Sequence, residues 1–399
     1  MRAIELQEGS AEYSIKISDN LHEIKEDWNR VCRNSIYFNS DYLELLESYG
    51  PDGYTYYYAI VYLNGEAEGI YYFQKKTIEL AKDFRVHTHS KNPLKKIGVF
   101  FQKQFFRMIR YELLVFGNVL LTGEYAYFFR NENPGKSEFN KLTNTVLRQV
   151  QEFIKANKGR KFKSVLSKDF YVDSALSHGP FPMNDFTEFQ VQPDMILKIK
   201  PDWASFADYT ASVKSKYRVK FKKVNSKGRD LEYRDLSPDD MASLKNDIHK
   251  LYLNTSQRAS FSLFVLHDEY FLQLKKTFPD RFIATGVFLD DKLVAFYTLI
   301  LNGENADAHF LGYNPALNSR YQIYFNILLK LIEKSISLNA KILNLSRTAL
   351  EIKSSVGAEP FSMNIYLKIN NNFLNNRLSW ILKRTVPAVD WIQRRPFKE

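Results

Sequence analysis

Cysteine is almost absent from this chain of 399 residues, which contains only Cys32. A single cysteine excludes an intramolecular disulfide and any cysteine-rich metal site. Low cysteine content also fits a reducing compartment. His87 and His89 form a close pair, but no acidic or cysteine ligand lies near them in the sequence. We therefore expect no bound metal.

Long hydrophobic runs are missing as well. No segment approaches the roughly 18 apolar residues that a membrane-spanning helix needs. The N-terminal residues lack the apolar core of a signal peptide. The chain also has no G-x-S-x-G, Walker or dinucleotide-binding motif. These absences predict a cytoplasmic protein and exclude several common enzyme classes.

Basic residues are in excess, with 56 Lys and Arg against 45 Asp and Glu, a net charge of +11. The excess is concentrated in three stretches with little acid, at 84–111, 209–229 and 370–399. Basic patches attract the phosphates of nucleic acids, lipid headgroups and nucleotide-linked substrates. The alternative is a solvated surface that keeps the protein soluble.

The two halves of the chain share one order of predicted elements: strand, two helices, hairpin, strand, long helix and strand. The hairpin turns at 64 and 290 lie further apart than the long helices that begin at 137 and 319. This difference indicates an insertion at about 74–111 in the first half. In the second half, the long helix is predicted to end at 339 and the last strand to span 363–369.

We expect an N-terminal domain at 1–195 and a C-terminal domain at 196–399. A basic helix at 202–226 would lie at the junction. Its apolar residues recur every three or four positions, which leaves the cations on the other faces. Such a helix could bind a phosphorylated substrate, or it could be a charged linker. The chain would end in an amphipathic tail at 371–399.

Two motifs carry a resemblance to a known family. Ser212–Lys223 contains Ser-Lys-Tyr-Arg within the basic helix, and Ser346–Pro360 follows the fifth strand of the second half. With the repeated element order, these motifs make the chain resemble the Fem-like branch of the GNAT acyltransferases, the peptidoglycan biosynthesis/recognition or BioF-like acetyltransferase family. The resemblance implies an α/β (α+β) fold of tandem GNAT-like domains. Each would be a mixed, largely antiparallel sheet flanked by helices.

The resemblance implies transfer of an acyl or aminoacyl group to an amine. The donor would be a co-substrate, either acyl carrier protein, acyl-CoA or aminoacyl-tRNA, with no permanently bound cofactor. GNAT enzymes that use acetyl-CoA hold its pyrophosphate on a glycine-rich loop before the long helix. Gly312–Arg320 has no second glycine, and Pro315 lacks a backbone donor. A donor on a macromolecular carrier is therefore favoured over free acetyl-CoA, with tRNA the less favoured carrier. No cofactor-binding residue is assigned.

The resemblance also places the acyl site beside the fourth strand and the loop after the fifth. His309 is the candidate general base, and Glu351 is a candidate base or orienting group. The substrate-binding candidates are Lys216, Tyr217, Arg218, Tyr313, Arg347, Thr348 and Lys353. The alternatives are a structural histidine, and an ion pair between Glu351 and Arg347 or Lys353.

These patterns predict an N-acyltransferase that modifies an amine of a cell-envelope or lipid precursor. The alternative is a non-catalytic GNAT-like protein that binds RNA or anionic lipid. Trp and Arg in the C-terminal tail are typical of membrane interfaces. The expected location is therefore the cytoplasm, with peripheral association at the inner face of the membrane left open.

Overall fold

The computed structural model describes residues 6–8, 11–32, 35–79, 110–131, 134–158, 163–172, 185–256, 264–380 and 391–398. The strands are β1 Leu6–Glu8, β2 Ala11–Ser18, β3 Tyr54–Leu63, β4 Glu66–Glu79, β5 Arg110–Phe116, β6 Tyr127–Phe129, β7 Ser164–Tyr171, β8 Thr187–Gln190, β9 Asp194–Lys198, β10 Glu232–Asp235, β11 Phe282–Leu289, β12 Lys292–Asn302, β13 Asn305–Tyr313, β14 Ile342–Asn344, β15 Glu359–Phe361 and β16 Met363–Ile369.

The α-helices are α1 Lys25–Val31, α2 Ser40–Tyr49, α3 Lys136–Lys158, α4 Phe206–Ser212, α5 Ser215–Lys227, α6 Pro238–Ser243, α7 Lys245–Ser256, α8 Tyr270–Thr277, α9 Pro315–Tyr321, α10 Ile323–Ser337, α11 Leu350–Ser354 and α12 Asn372–Asn375. A short 3-10 helix, Leu21–Ile24, precedes α1.

The chain divides into two compact units. Unit 1 comprises Met1–Val191, Ala259–Val265 and Met363–Pro387, and unit 2 comprises Gln192–Arg258, Leu266–Ser362 and Ala388–Glu399. This division differs from the expected single boundary at 195, because the chain returns to unit 1 after residue 362.

Unit 1 is built on a mixed sheet with the order β1-β2-β3-β4-β5-β7-β16-β8, and β6 pairs with β4. Only the β5–β7 ladder is parallel among the described pairs. Helix α3 covers this sheet because apolar residues recur along one face of it. The apolar residues of α3 that the core buries are Phe139, Leu142, Val146, Leu147, Val150 and Ile154.

Unit 2 repeats this plan with the sheet order β10-β11-β12-β13-β14-β9-β15. Its one parallel ladder in the described residues joins β13 to β14. The apolar stripe of α10 packs against this sheet, as the sequence predicted from Ile323, Ile327, Leu331 and Ile332. The expected fold class, a mixed α/β fold with two sheets flanked by helices, is confirmed.

The sheets differ from the expected tandem repeat in where their last strands come from. In unit 1, β16 lies beside β7 and pairs with the short β8. In unit 2, β9 lies beside β14 and pairs with the short β15. The sheet of unit 1 is therefore completed by β16, which follows unit 2 residues in the sequence, whereas β9 opens the first segment of unit 2. Strand alternation predicts that 363–369 is a strand, but it does not specify the partner strand.

The expected continuous basic helix at 202–226 is wrong, because Val213 and Lys214 interrupt it between α4 and α5. Both residues have extended backbone conformations. Val213 forms a β-bridge with Phe397, and the Lys214 N–H donates to the Pro396 carbonyl at 2.7 Å. The C-terminal residues thus pair with backbone groups that a continuous helix would have used for its own hydrogen bonds.

Two other elements differ from their predicted bounds. The long helix predicted at 319–339 is two helices, α9 and α10, separated by Gln322 with a φ of 50°. Strand β4 continues to Glu79, into the stretch assigned to the insertion. Residues 80–109, which include His87 and His89, lie outside the described residues.

Candidate functional site

The parallel pairing between β13 and β14 stops after the first three residues of β13. Asn305–Asp307 pair with Ile342–Asn344, and β13 then continues to Tyr313 without β14 beside it. A β-bulge lies at this point, where His309 and Phe310 together oppose Thr298 of β12. The Thr298 hydroxyl bonds both the N–H and the C=O of Phe310, each at 3.0 Å. We call the edge of β13 beyond Asp307 the strand opening.

Backbone donors of β13 face the strand opening. Phe310 and Asn314 direct their N–H groups toward β12, to Thr298 Oγ1 and the Val294 carbonyl. Backbone groups alternate sides along a strand. The N–H groups of Leu311 and Tyr313 therefore point to the other edge, the one that β14 has left. An opening lined by backbone N–H groups can hold a carbonyl oxygen or an oxyanion.

The loop that leaves β14 has an unusual backbone. Ser346, Thr348 and Ala349 have φ values of 60°, 68° and 48°, the left-handed region that residues with a side chain seldom adopt. Such conformations persist only where the surrounding structure imposes them, and they concentrate at functional sites. Helix α11 begins directly after this loop.

Lys353 of α11 holds the loop in place from inside the protein. Its side chain is buried, and its Nζ donates to the carbonyls of Ser346, at 3.1 Å, and Arg347. Burial lowers the pKa of Lys353 to about 7, and the nearby carboxylate of Asp194 opposes that shift. Lys353 is therefore a positioning residue for the strained loop, with a charge that changes near neutral pH.

Asp194 is a member of this site that the sequence did not indicate. It begins β9 and is fully buried, and its Oδ2 accepts a hydrogen bond from Asn344 Nδ2 at 2.8 Å. Asn344 in turn accepts from the Ser346 N–H at 2.7 Å. A connected polar network thus joins β9, β14 and the loop. The only signal in the sequence would have been an acidic residue at the start of an apolar strand.

Arg347 and Thr348 lie in the loop itself. Arg347 is half-buried, and burial lowers the pKa of its guanidinium to about 10. That value still leaves the group charged at neutral pH. Thr348 is exposed. A charged guanidinium with restricted solvation binds a phosphate or carboxylate more strongly than a fully exposed one.

Glu351 forms an ion pair with Arg394, and not the predicted one with Arg347 or Lys353. Its Oε1 accepts from Arg394 Nε at 3.0 Å and also from the Nη2 of that residue. The Arg394 N–H donates to Ser354 Oγ at 3.0 Å. Glu351 is exposed and lies on α11, so its observed contact attaches the C-terminal residues to this helix.

His309 lies on β13 at the bulge, where aromatic rings surround it. Its Nε2 is 2.9 Å from the Tyr270 hydroxyl, and its ring contacts those of Phe282 and Phe310. Burial lowers the pKa of His309 to about 3. The imidazole is therefore neutral at physiological pH, but it is a weak proton acceptor. These features favour a structural role over general-base catalysis.

The basic-helix candidates are separate from the loop network. Tyr217 packs in the core of unit 2, and Arg218 Nη1 caps the Val213 carbonyl at 2.7 Å. Lys216 is exposed, with its Nζ over the Tyr217 ring. Lys220 is the cation of α5 that reaches α11, where its Nζ donates to Ser355 Oγ at 3.3 Å. Only Lys216 and Lys220 of these residues have the exposure needed to meet a ligand.

The turn after β13 uses its own backbone donors. Pro315 has no N–H, the Ala316 N–H donates to Asn314 Oδ1 at 3.1 Å, and the Leu317 N–H donates to the Asn314 carbonyl at 3.2 Å. Tyr313 is half-buried at the end of β13, with its ring near that of Tyr324. This turn therefore differs from a loop that presents its amides to a pyrophosphate.

Comparison with known proteins gives a likeness in fold. No family model matches the sequence, and no curated protein matches it. The crystal structure of FemX is similar over 92% of this chain and 100% of that chain, with a TM-score of 0.52 and 11% identity. The chain has a Fem-like GNAT fold. The fold implied by the two sequence motifs is thereby confirmed.

Two further solved structures are similar at lower scores. A tandem GNAT protein from the clavulanic acid biosynthesis pathway has a TM-score of 0.49 at 10% identity, over 90% of this chain and 99% of that chain. L-PGS from Bacillus licheniformis has a TM-score of 0.44 at 10% identity, over 87% and 97%. Within the residues that the structure describes, no helix combines the length and the apolarity that crossing a membrane requires.

Proposed function

We propose that this protein is an N-acyltransferase that moves an acyl or aminoacyl group onto an amine at the strand opening of unit 2. The observation that carries the proposal is the end of the β13–β14 ladder at Asp307 and Asn344, beside a loop held by the buried Lys353. The Fem-like GNAT fold supports this proposal, since the likeness to FemX covers almost the whole chain.

In the proposed reaction, the acceptor nitrogen attacks the carbonyl carbon of the acyl donor. A C–N bond forms, the C–S or C–O bond to the carrier breaks, and the proton lost by the amine balances the one gained by the leaving group. The N–H groups of Leu311 and Tyr313 would hold the oxyanion of the tetrahedral intermediate. Arg347 would bind an anionic part of a substrate, and Lys353 would fix the loop that carries Arg347.

We propose that the donor is bound to a macromolecular carrier. The turn at Asn314–Leu317 supports this choice, because Pro315 has no N–H and the next two amides already donate within the turn. The exposed cations of α5 give an anionic carrier a surface to bind; they are Lys216, Lys220, Lys222, Lys223 and Lys227. An acidic acyl carrier protein fits this surface, and an aminoacyl-tRNA is the second candidate. The acceptor would be an amine of a cell-envelope or lipid precursor.

The test incubates the full chain with acyl carrier protein, CoA and tRNA donors and a panel of amines, with product detection by mass spectrometry. We expect transfer from a carrier-bound donor, and a loss of roughly a hundredfold in rate for Arg347→Ala, since charge-assisted contacts contribute about 3 kcal/mol. The matched control is Lys341→Ala, which removes an exposed cation paired with Glu304 at the other end of the same strands.

A third variant separates the two roles considered for His309. We expect His309→Gln to retain activity within about threefold, because a group with a pKa of about 3 contributes little as a base near neutral pH. The pH–rate profiles of the wild type and of His309→Gln check the same point. We expect both profiles to show the same inflections. Equal activity of wild type and Arg347→Ala would place the site elsewhere.

The second candidate function is a non-catalytic binder of RNA. The exposed cations of α5 favour it, because 209–229 contains no acidic residue. This alternative predicts affinity for RNA that falls steeply with salt and no transfer to any amine. Salt-sensitive binding without turnover in the donor panel would support this second function.

A further inference from the structure

Two large aromatic side chains are exposed close together in unit 1. Phe373 is 62% exposed and Trp380 is 58% exposed, and Leu374 between them is 44% exposed. Single exposed apolar residues are common on protein surfaces, but three within eight positions form a patch. The other large hydrophobic side chains exposed in the described residues are aliphatic and scattered: Val172, Val219, Val265 and Ile392.

The segment that carries this patch is fixed to unit 1 by its opposite side. Asn375 accepts a hydrogen bond from the Ile369 N–H at 2.9 Å and donates to the Asp185 carbonyl at 2.9 Å. Leu378 is only 3% exposed. Phe373 and Leu374 lie in α12, Arg377 lies in the turn that follows it, and Trp380 lies in the next helical residues. The segment that carries the exposed side chains is therefore anchored to unit 1.

The charge of this segment is positive. The guanidinium of Arg377 lies 4.1 Å from the centroid of the Phe373 ring. No acidic residue occurs from Asn370 to Trp380. Stacking on the ring keeps the cation at the level of the exposed aromatic groups, where it can meet an anion.

This combination fits the surface of an anionic bilayer. Trp and Phe partition into the interface between lipid headgroups and acyl chains, and Arg pairs with the phosphates. The patch is a protruding segment with one cation. Nucleic acids favour a longer series of basic residues, because their affinity comes mainly from many phosphate contacts. We infer that Phe373, Leu374, Arg377 and Trp380 form a docking surface for anionic lipid.

This inference divides the tail that the sequence predicted as one amphipathic segment. Trp391 and Phe397 pack against the core of unit 2, so they are not exposed for insertion into lipid. Trp380 and Phe373 take that role instead. The inference does not depend on the proposed transferase activity, because lipid binding and amine acylation are measured separately.

The test is sedimentation of the full chain with vesicles of neutral phosphatidylcholine, alone or with anionic phosphatidylglycerol. We expect binding to the anionic vesicles, and affinity lower by roughly tenfold or more in the double variant Phe373→Ser and Trp380→Ser. Arg377→Gln should reduce the preference for anionic over neutral vesicles. The matched controls are Val219→Ser and Ile392→Ser, which remove exposed apolar side chains elsewhere and should bind like wild type.

Quenching by brominated lipid locates the contact. Trp28 and Trp203 are buried, whereas Trp380 is exposed. Brominated anionic vesicles should therefore quench the wild type, and Trp380→Phe should bind with much of that quenching lost. Absence of binding by wild type would overturn the inference, as would unchanged binding by the double variant. A concentration-dependent dimer that Phe373→Ser dissociates would instead identify a second copy as the occupant.

Discussion

Lys353 carries a buried ammonium group, and we expect it to make the stability of unit 2 depend on pH. Its pKa is lowered from 10.5 to about 7 in the folded protein, chiefly by burial. In the unfolded chain the group keeps its ordinary pKa. Between these two values the unfolded state holds a proton that the folded state has lost. The free energy of unfolding therefore rises with pH across this window.

The magnitude follows from the two pKa values. Below about pH 7 both states are protonated, and burial of the charge lowers stability by about 4–5 kcal/mol relative to a neutral amine. Above pH 7 this loss of stability decreases by about 1.4 kcal/mol per pH unit once the folded protein has released its proton. The decrease amounts to about 2 kcal/mol between pH 7 and pH 9. Lys353→Met removes the titration, and it also leaves the carbonyls of Ser346 and Arg347 without this donor. Each lost bond costs about 1–3 kcal/mol at every pH.

The assay is urea denaturation of wild type and Lys353→Met at several pH values from 6 to 9. The buried Trp203 reports unfolding of unit 2. Other groups titrate equally in both proteins, so the difference between them isolates Lys353. We expect the wild type to gain about 2 kcal/mol over the variant between pH 7 and pH 9. Parallel stability curves would refute a lowered pKa for this lysine.

Two further predictions concern the same region. Gly357 has a φ of 97°, and an added Cβ would lie 2.3 Å from the Phe397 ring, so Gly357→Ala should lower thermal stability by about 2–4 kcal/mol. Gly303→Ala is the matched control, because Gly303 also has a positive φ but open space around it; an equal loss would exclude the ring contact as a cause. Asp194→Asn should lower the pKa of Lys353 further, because it removes the carboxylate that favours the ammonium form. The pH-dependent rise in stability should then begin at a lower pH, and an unchanged onset would argue against this coupling.

Local patterns in the sequence predicted many of the individual elements. Alternating side chains predicted the strand at 363–369, and turn residues predicted the hairpin at 290. In the structure, β16 spans Met363–Ile369, and the hairpin joins β11, which ends at Leu289, to β12, which begins at Lys292. Local chemistry also accounts for the start of α6, where Ser237 and Asp240 form a capping box and Pro238 occupies the first turn. Such signals depend on residues within one turn or one strand, so a single sequence carries them.

The candidate site was predictable only in part. The loop Arg347–Lys353 and the fourth strand with His309 were both indicated before the structure. The role of Lys353 was not predicted, because only folding buries its side chain and brings it near Asp194, which lies far away along the chain. Spacing in the sequence placed Glu351 near two cations, but the side chain bonds Arg394. Contacts between distant segments depend on chain packing, which local periodicity does not encode.

The sequence alone thus determined the type of many individual elements, the similar order of the two halves and the basic, cysteine-poor composition. These properties follow from residue types and their short-range spacing. Only the tertiary structure decided that β16 completes the sheet of unit 1, and that Phe397 and Pro396 interrupt the basic helix. An exposed strand edge or an unpaired backbone group can bond many partners. The partner that forms the bond is the distant segment whose apolar face becomes buried beside that edge or group.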